Sequence, residues 1–299
     1  MKSRPWYSWL LFGLVVIAVG WFIYRNIGEI RQYDFSYNLW FILLAFAFEI
    51  LAYLFQFGIW INLSGEYGLK APAIKAGKGF FLSQLGKYIP GKVGLVLVRM
   101  DAYRGYSKKK IAVATGFEMI IALAAACILI LVGLISAAEF LPGHAVYGAV
   151  AMLAVLLVLL YPPFFLKLVN FGFKLIKREP IEESPSFRTT IKFILAFMLV
   201  GLLQGMGLFF ALKSLSPVPF EYYMTITAVY YAAGIVGLIS FFAPAGIGVR
   251  EGILMLVLPL FIPEPVVIVG AILIRLLMTA AELTMAGTST LLEKISHHQ

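Results

Sequence analysis

The sequence predicts an all-α protein that crosses a membrane several times, with about seven transmembrane helices and two re-entrant helical hairpins. Three observations support this fold class. Hydrophobic residues make up 62% of the 299-residue chain and charged residues only 13%, whereas a soluble domain is about 45–50% apolar and about 25% charged. The mean hydropathy is +0.93. Apolar runs of about 20 residues, the length that crosses the hydrocarbon core, recur along the chain.

The apolar runs give the candidate spans in chain order. The first lies at 5–24, and the basic residues Lys2 and Arg4 just before it give it the pattern of a signal peptide. Because it is as long as a span and no small-x-small cleavage site follows, we expect it to be retained. The remaining spans are predicted at 39–63, 111–137, 144–163, 192–212, 222–242 and 265–290. Little polar sequence is left over, so residues 1–299 are expected to form a single integral membrane domain.

Basic residues predict which ends of the spans face the cytoplasm. The connections 99–110 and 164–192 are rich in lysine and arginine, whereas 138–143 and 213–221 carry one lysine and two glutamates between them. Basic connections stay on the cytoplasmic side, so we expect a multi-pass protein of the inner or plasma membrane with a cytoplasmic N-terminus. The same excess explains the net charge of +9, and no nucleic-acid partner is expected. The side of the C-terminus stays open, because Lys294 favours the cytoplasm and a re-entrant second hairpin favours the outside.

Two apolar segments are interrupted by proline and glycine and fit a simple span badly. The first, at 79–98, contains KYIPGKVG, and the second, at 243–262, follows directly on FF and begins APAGIGVREG. In lipid an unsatisfied backbone group costs several kcal/mol, so irregular backbone survives only inside protein or beside a wet cavity. We therefore expect each segment to be a re-entrant hairpin. Their similarity also indicates a two-fold internal repeat with halves 1–140 and 164–299.

Six ionisable side chains fall within apolar runs. On insertion scales each costs about 2.5–3.5 kcal/mol at the bilayer centre if it faces lipid. They must therefore face the bundle interior, pair with one another or contact water. The six are Glu49, Glu118, Arg250, Glu251, Arg275 and Glu282.

Arg250 is the strongest candidate for binding a ligand. It follows the glycine-rich break, and its planar guanidinium suits a phosphate. The backbone at Gly246 and Gly248 is expected to assist, because a helix N-terminus attracts anions. Glu251 is expected either to orient Arg250 or to pair with Arg275, and Arg275 is a second candidate ligand.

The remaining candidates have a functional and a structural interpretation each. Lys87 and Lys92 flank the break in the first hairpin, where they either snorkel to the interface or capture an anionic headgroup. Glu118, Glu282 and Glu49 are expected to balance the buried cations or to couple transport to an ion. Their structural alternative is a set of buried ion pairs that fix helix register, which is favoured for Glu49.

The sequence shows no signature of an enzyme or of a cofactor site. It has no phosphate-binding loop, no nucleophile elbow and no zinc-protease motif, and Cys127 is the single cysteine. We therefore expect a protein that is not an enzyme and that uses no cofactor or metal.

The broken segments carry a family resemblance. LGKYIPGKVG, Glu118, PAGIGVREG and Arg275 resemble the flippase-like transmembrane domain of lysylphosphatidylglycerol synthases, which also occurs alone in the YbhN-like group. The resemblance covers nearly the whole chain. It implies a polytopic helical bundle with re-entrant helices and, for the synthases, movement of an aminoacylated phospholipid between leaflets. The soluble aminoacyl-transferase domain of those synthases is absent here, so the lipid need not be lysylphosphatidylglycerol.

These observations favour a lipid translocase that moves an anionic phospholipid or a polyprenyl-phosphate-type lipid between leaflets. Its expected partner is a membrane lipid with an anionic headgroup, and a homo-oligomer or a partner membrane enzyme stays open. Three alternatives remain at this point. The protein is a non-transporting subunit that stabilises a partner lipid-modifying enzyme, a membrane lipid transferase, or a transporter of a small soluble anion.

Overall fold

The computed structural model describes residues 17, 20–21, 24–88, 94–136, 143–175, 177, 179–240 and 243–296. Within these ranges the protein is helical, with no strand. The α-helices are α1 Ile27–Gln32, α2 Leu39–Glu66, α3 Ala73–Leu85, α4 Gly94–Ala102, α5 Lys108–Ser136, α6 Gly143–Leu160, α7 Pro162–Leu175, α8 Phe187–Lys213, α9 Tyr223–Ile239, α10 Val249–Val257 and α11 Glu264–Ser296. Short 3-10 helices lie at Gly86–Tyr88, Phe220–Tyr222, Pro244–Gly246 and Leu258–Leu260.

The prediction of an all-α polytopic membrane protein is confirmed. Among the described residues, five helices are long and apolar enough to cross a membrane: Leu39–Glu66, Lys108–Ile135, Phe187–Lys213, Phe220–Ile239 and Glu264–Ile295. The pair Leu153–Leu160 and Pro163–Leu175, bent by 77°, gives a sixth if it is one span. The span predicted at 5–24 lies almost entirely outside the described residues, so the count of seven stays a prediction.

Helices α2 and α8 run antiparallel and define the two ends of the bundle. The Asn38 amide, just before α2, donates to the Ser214 carbonyl, just after α8, at 2.9 Å. Farther along, the Glu49 carboxyl packs against Gly207. We call the end at which α2 finishes the basic end, because the nearby connections carry Lys75, Arg104, Lys108, Lys109 and Lys110. The end that carries Asn38 and Ser214 is called the opposite end.

The first hairpin consists of α3 and α4, which pack against each other and begin and finish at the basic end. Lys75 near the start of α3 donates to the Arg104 carbonyl just after α4, at 2.8 Å. A Cβ added at Gly86 would lie 2.6 Å from the Gly94 carbonyl carbon. Only glycine permits this approach, so the arms close tightly at the tip. The predicted hairpin at 79–98 is therefore present, with arms that extend to 73–102.

The second hairpin differs in extent from the prediction at 243–262. Its first arm is α9, predicted as a separate span at 222–242, and its second arm is α10. The tip is held by Gly237, whose added Cβ would lie 2.7 Å from Arg250 Cγ. At the other end of the arms, Tyr222 stacks on Phe261 with ring centroids 5.4 Å apart. The chain thus returns to the opposite end, which hydropathy cannot reveal because an apolar arm resembles an apolar span.

The two hairpin tips meet beside the middle of α11. At the opposite end, the Asn26 amide donates to Glu264 at 3.0 Å. Along α11, Arg275 contacts Ala245 of the second tip, Thr279 contacts the first tip, and Glu293 pairs with Lys78 at the basic end. Helix α11 therefore ends at the basic end, as Lys294 predicted.

Each hairpin lies between two long helices. The order of long helix, hairpin and long helix occurs as α2 to α5 and again, in the opposite direction, as α8 to α11. The two-fold repeat with halves 1–140 and 164–299 stays a prediction, since a shared order of elements is weaker evidence than shared sequence.

Candidate functional site

The side chain of Arg250, the second residue of α10, crosses a glycine face of α9. Gly237 lies against its aliphatic part, and a Cβ added at Gly234 would lie 3.9 Å from its Nη2. The guanidinium carbon is 5.0 Å from the centroid of the Tyr230 ring. Among the described residues no carboxylate comes within 4.0 Å of Arg250. Arg250 is therefore held by an aromatic ring rather than by an ion pair.

The break before α10 is strained and is braced from α11. Ala245, Gly246 and Gly248 all have positive φ, at 51°, 69° and 83°. For alanine such a backbone costs about 1–3 kcal/mol, so neighbours must hold it. Arg275 Nη1 donates to the Ala245 carbonyl at 3.3 Å, and Arg275 Nε lies 3.8 Å from Glu251 Oε1.

Glu251 resolves an alternative that the sequence left open. Its other oxygen accepts from the Gly248 N–H at 2.7 Å, which caps α10. The Gly246 N–H donates to the Ala243 carbonyl at 3.0 Å. Glu251 thus contacts Arg275 and the break, and both predicted anion-binding amides are engaged internally. Arg250, in contrast to Arg275, has no carboxylate within 4.0 Å among the residues that the structure describes.

Lys87 lies at the first tip and does not snorkel to the interface. It forms an ion pair with Glu282 of α11, which is 1% exposed. Tyr53 of α2 donates to the same oxygen of Glu282. Beside this pair, the hydroxyls of Tyr88 and Thr279 are 3.3 Å apart. The charge of Lys87 is neutralised, and the first tip is fixed to α11. Lys92 lies outside the described residues.

Glu118 is paired with a residue that sequence analysis placed in a basic connection. Arg99 Nη1 lies 2.5 Å from Glu118 Oε2, and Arg99 is fully buried. Its guanidinium also lies over the Trp60 ring, 3.8 Å from the centroid. The apolar run that precedes Arg99 was the available signal for burial. Arg104, by contrast, is exposed and pairs with Asp101.

Glu49 is fully buried between α2 and α8, but within the described part of the chain it forms no ion pair. Neither carboxyl oxygen has a hydrogen-bond partner among the described residues. The register-fixing ion pair favoured for Glu49 was therefore wrong. A buried polar group without a hydrogen-bond partner is costly, so Glu49 is not explained by helix packing alone.

A cavity of about 270 Å³, lined by both apolar and polar side chains, lies between the two hairpins. A second cavity of about 200 Å³ adjoins it, reaches the Arg99–Glu118 pair and shares six lining residues with the first. Tyr230 and Tyr231 line the first cavity, and the Tyr231 hydroxyl donates to Gln204 Oε1 at 2.7 Å. Polar or charged lining residues of the first cavity are Tyr53, Gln56, Gln84, Lys87, Gln204, Tyr230, Tyr231 and Arg250.

Comparison with known families identifies the group to which this architecture belongs. Residues 8–285 match the family described as the lysylphosphatidylglycerol synthase TM region. The chain belongs to this family. Membership agrees with the resemblance carried by the two broken segments and supports a membrane lipid-related function. No curated protein matches the chain significantly.

The charges of this lysylphosphatidylglycerol synthase TM-region protein leave room for one anionic group. Lys87 and Arg99 are each neutralised by a glutamate, and Arg275 lies beside Glu251. Arg250 lines the cavity and has no carboxylate within 4.0 Å in the described part of the chain. The arrangement can therefore hold a single phosphate at Arg250, with tyrosine and glutamine side chains as further hydrogen-bonding groups.

Proposed function

We propose that this protein is a lipid translocase of the inner or plasma membrane. It moves an anionic phospholipid or a polyprenyl-phosphate-type lipid between leaflets, without covalent chemistry and without a cofactor. Arg250 holds the lipid phosphate. Arg275 and Glu251 position the break that carries Arg250, and the acyl or isoprenoid tails stay in the bilayer. The basic end faces the cytoplasm, as the positive-inside rule favours.

One observation carries this proposal: the Arg250 guanidinium lines a cavity between the hairpin tips without a carboxylate partner among the described residues. Charges taken out of water are normally paired. A guanidinium binds a phosphate through two parallel hydrogen bonds, so a lipid phosphate supplies the partner that the protein does not.

The opposed hairpins suggest how the site is reached from both leaflets. The α3–α4 hairpin approaches from the basic end and the α9–α10 hairpin from the opposite end, with their tips in contact beside α11. Discontinuous helices that meet at a central site are a recurring feature of alternating-access transporters. In this scheme, displacement of one tip at a time opens the cavity to one leaflet. The lipid's own concentration difference is sufficient to drive net movement.

Leaflet exchange in reconstituted vesicles tests the proposal. Fluorescent phosphatidylglycerol, a fluorescent polyprenyl phosphate and fluorescent phosphatidylcholine are placed in both leaflets, and a membrane-impermeant quencher reports how fast the inner pool becomes accessible. We expect faster exchange of the two anionic lipids than in protein-free vesicles.

The matched variants are Arg250→Ala and Arg104→Ala. A hydrogen bond to a charged group contributes about 1.5–3 kcal/mol, so Arg250→Ala should slow exchange about tenfold or more. Arg104 is exposed and remote from the cavity, so Arg104→Ala should leave exchange unchanged. Absence of exchange for every anionic lipid, in protein shown to be folded, would contradict the proposal.

A second candidate function rests on the buried ion pairs. Lys87–Glu282 joins residues 195 positions apart, and Arg99–Glu118 joins α4 to the next helix, α5. A rigid framework of this kind suits a non-transporting subunit that stabilises a partner lipid-modifying enzyme. That function predicts no exchange by the isolated protein and a stable complex with the enzyme. The vesicle assay therefore separates the two candidates.

A further inference from the structure

A groove of about 640 Å³ lies between α2 and α8, outside the central cavity. Its apolar walls include Leu51, Leu54 and Phe55, which are 39%, 44% and 42% exposed. These side chains belong to helices that cross the membrane, so the groove opens toward lipid. Its polar lining residues are Asn62, Glu66, Thr189 and Lys192.

The polar residues of the groove are layered along the two helices. Glu66 is the last residue of α2 and Thr189 is in the first turn of α8. On α2, Asn62 lies four residues farther into the bundle than Glu66, about 6 Å at 1.5 Å per residue. On α8, Lys192 lies three residues farther into the bundle than Thr189, about 4.5 Å. From the basic end inward, the groove therefore presents an acid, then a base, then an apolar wall.

The acid and the base are not neutralised by the protein. Glu66 and Lys192 are exposed, and neither lies within 4.0 Å of an oppositely charged side chain in the described ranges. They line the same groove without pairing with each other. This pattern is complementary to a molecule that carries an outer cation, an inner anion and an apolar tail.

We propose that this groove binds a phospholipid whose headgroup carries a primary ammonium beyond its phosphate, such as phosphatidylethanolamine. Lys192 and Thr189 face the phosphate, Glu66 receives the ammonium, and an acyl chain lies along Leu54 and Phe55. This site is distinct from the central cavity, and binding there does not depend on lipid exchange. Failure of the translocase proposal would therefore leave it standing.

The groove and the cavity nevertheless lie on opposite sides of the same helix pair. Phe55 lines the groove and Gln56 lines the central cavities, and Ala196 and Phe197 are divided in the same way. The packed pair of helices α2 and α8 therefore separates a lipid in the groove from the adjoining cavity.

Lipid retention tests the site. The full chain is equilibrated in bicelles with equal amounts of phosphatidylethanolamine, phosphatidylglycerol and phosphatidylcholine, purified, and its bound lipids are quantified by mass spectrometry. We expect phosphatidylethanolamine to be enriched over phosphatidylcholine by about two- to fivefold, the range that one exposed ion pair provides; phosphatidylglycerol is left out of this ratio because it also binds at Arg250 in the proposed function. Glu66→Gln should abolish this enrichment, and Lys192→Gln should lower retention of all three lipids.

A steric variant with a matched control separates groove binding from general lipid association. A Cβ added at Gly58, which lines the groove, meets no atom within 4 Å, and the same holds at exposed Gly148 of α6. Gly58→Phe should fill the groove and remove the bound phosphatidylethanolamine, whereas Gly148→Phe should not. Equal retention of phosphatidylethanolamine and phosphatidylcholine by the unmodified protein, or unchanged retention of phosphatidylethanolamine in Gly58→Phe, would overturn the proposal.

Discussion

The two hairpins are both interrupted by proline and glycine, but their basic residues differ in whether a carboxylate neutralises them. In the α3–α4 hairpin, Lys87 and Arg99 each form an ion pair with a buried glutamate. In the α9–α10 hairpin, Arg250 has an aromatic ring beside it and, among the described residues, no carboxylate within 4.0 Å. The first hairpin is thus fixed to the rest of the bundle, while the second presents an unneutralised charge to the cavity.

This difference indicates that the charged residues of the first hairpin stabilise the fold, whereas Arg250 of the second hairpin is available to bind a ligand. Breaking an ion pair in the first hairpin leaves an uncompensated buried charge, which mainly affects stability. Altering Arg250 removes a charge that has no carboxylate within 4.0 Å among the described residues, so we expect it to affect ligand binding more than stability. The following predictions test this division, from the largest expected effect to the smallest.

Arg99→Ala should cause the largest loss of stability. It leaves Glu118 buried without its partner, and breaking a buried pair in this way costs about 3–5 kcal/mol. The measurement is thermal unfolding of the purified protein in detergent, followed by circular dichroism. The double variant Arg99→Met with Glu118→Leu should recover most of the loss, and a double variant no more stable than Arg99→Ala would argue against the pair.

Lys87→Met should cost less than Arg99→Ala. The Lys87 side chain is 24% exposed, and Tyr53 continues to donate to Glu282, so part of the compensation remains. We expect a loss of about 1–3 kcal/mol, the cost of an unsatisfied buried polar group, measured by the same unfolding experiment. Adding Glu282→Gln should restore stability. If the second substitution lowers stability further, the two residues are not coupled.

Gly237→Ala should affect exchange more than stability. Its Cβ would lie 2.7 Å from Arg250 Cγ, so the arginine must move away from the glycine face of α9. Because a displaced guanidinium loses a hydrogen bond to the lipid phosphate that contributes about 1.5–3 kcal/mol, we expect roughly tenfold slower exchange of anionic lipid in vesicles. Gly252→Ala is the control, since a Cβ there meets no atom within 4 Å. Equal exchange rates for the two variants would show that Arg250 placement is unimportant.

The smallest effect is expected for an exposed pair outside the membrane. Lys110 donates to the Glu183 carboxylate, which lowers the pKa of Glu183 below its ordinary value. A lowered pKa means that the pair stabilises the fold above the ordinary pKa and loses this contribution as pH falls through the lowered value. Because the Glu183 side chain is 42% exposed, the contribution should be only about 0–1 kcal/mol.

The contribution of this pair is measured by comparing the free energies of unfolding of Glu183→Gln and the unmodified protein between about pH 3 and pH 7, a range that includes the ordinary glutamate pKa of about 4.3. The difference from the unmodified protein should shrink as the medium becomes acidic. A difference that grows with acidification would reverse the assigned sign.

The sequence was sufficient for features that depend on local chemistry. Apolar length predicted the five long apolar helices among the described residues, although α9 is a hairpin arm, and the proline–glycine interruptions predicted where the chain turns back. The cost of charge in lipid correctly singled out Glu118, Glu251 and Glu282 as interior residues that contact basic side chains. Each of these inferences needs only a few consecutive residues and the cost of placing them in the hydrocarbon core of a bilayer.

Sequence analysis missed the features that depend on residues far apart in the sequence. Lys87 and Glu282 are 195 positions apart, so no local pattern shows that they pair. Arg99 was counted among basic connecting residues because its burial by Trp60 and Phe80 is created only by folding. Helix α9 was taken as a complete span because hydropathy measures composition and not the direction in which the next segment leaves.

A structure of the protein in nanodiscs rich in phosphatidylglycerol tests the central claim most directly. The account predicts a lipid phosphate within hydrogen-bonding distance of the Arg250 guanidinium, between the tips of the two hairpins, with Lys87 still paired to Glu282. The account is contradicted if Arg250 instead pairs with a protein carboxylate, or if that space contains no lipid while phosphatidylglycerol binds elsewhere on the protein.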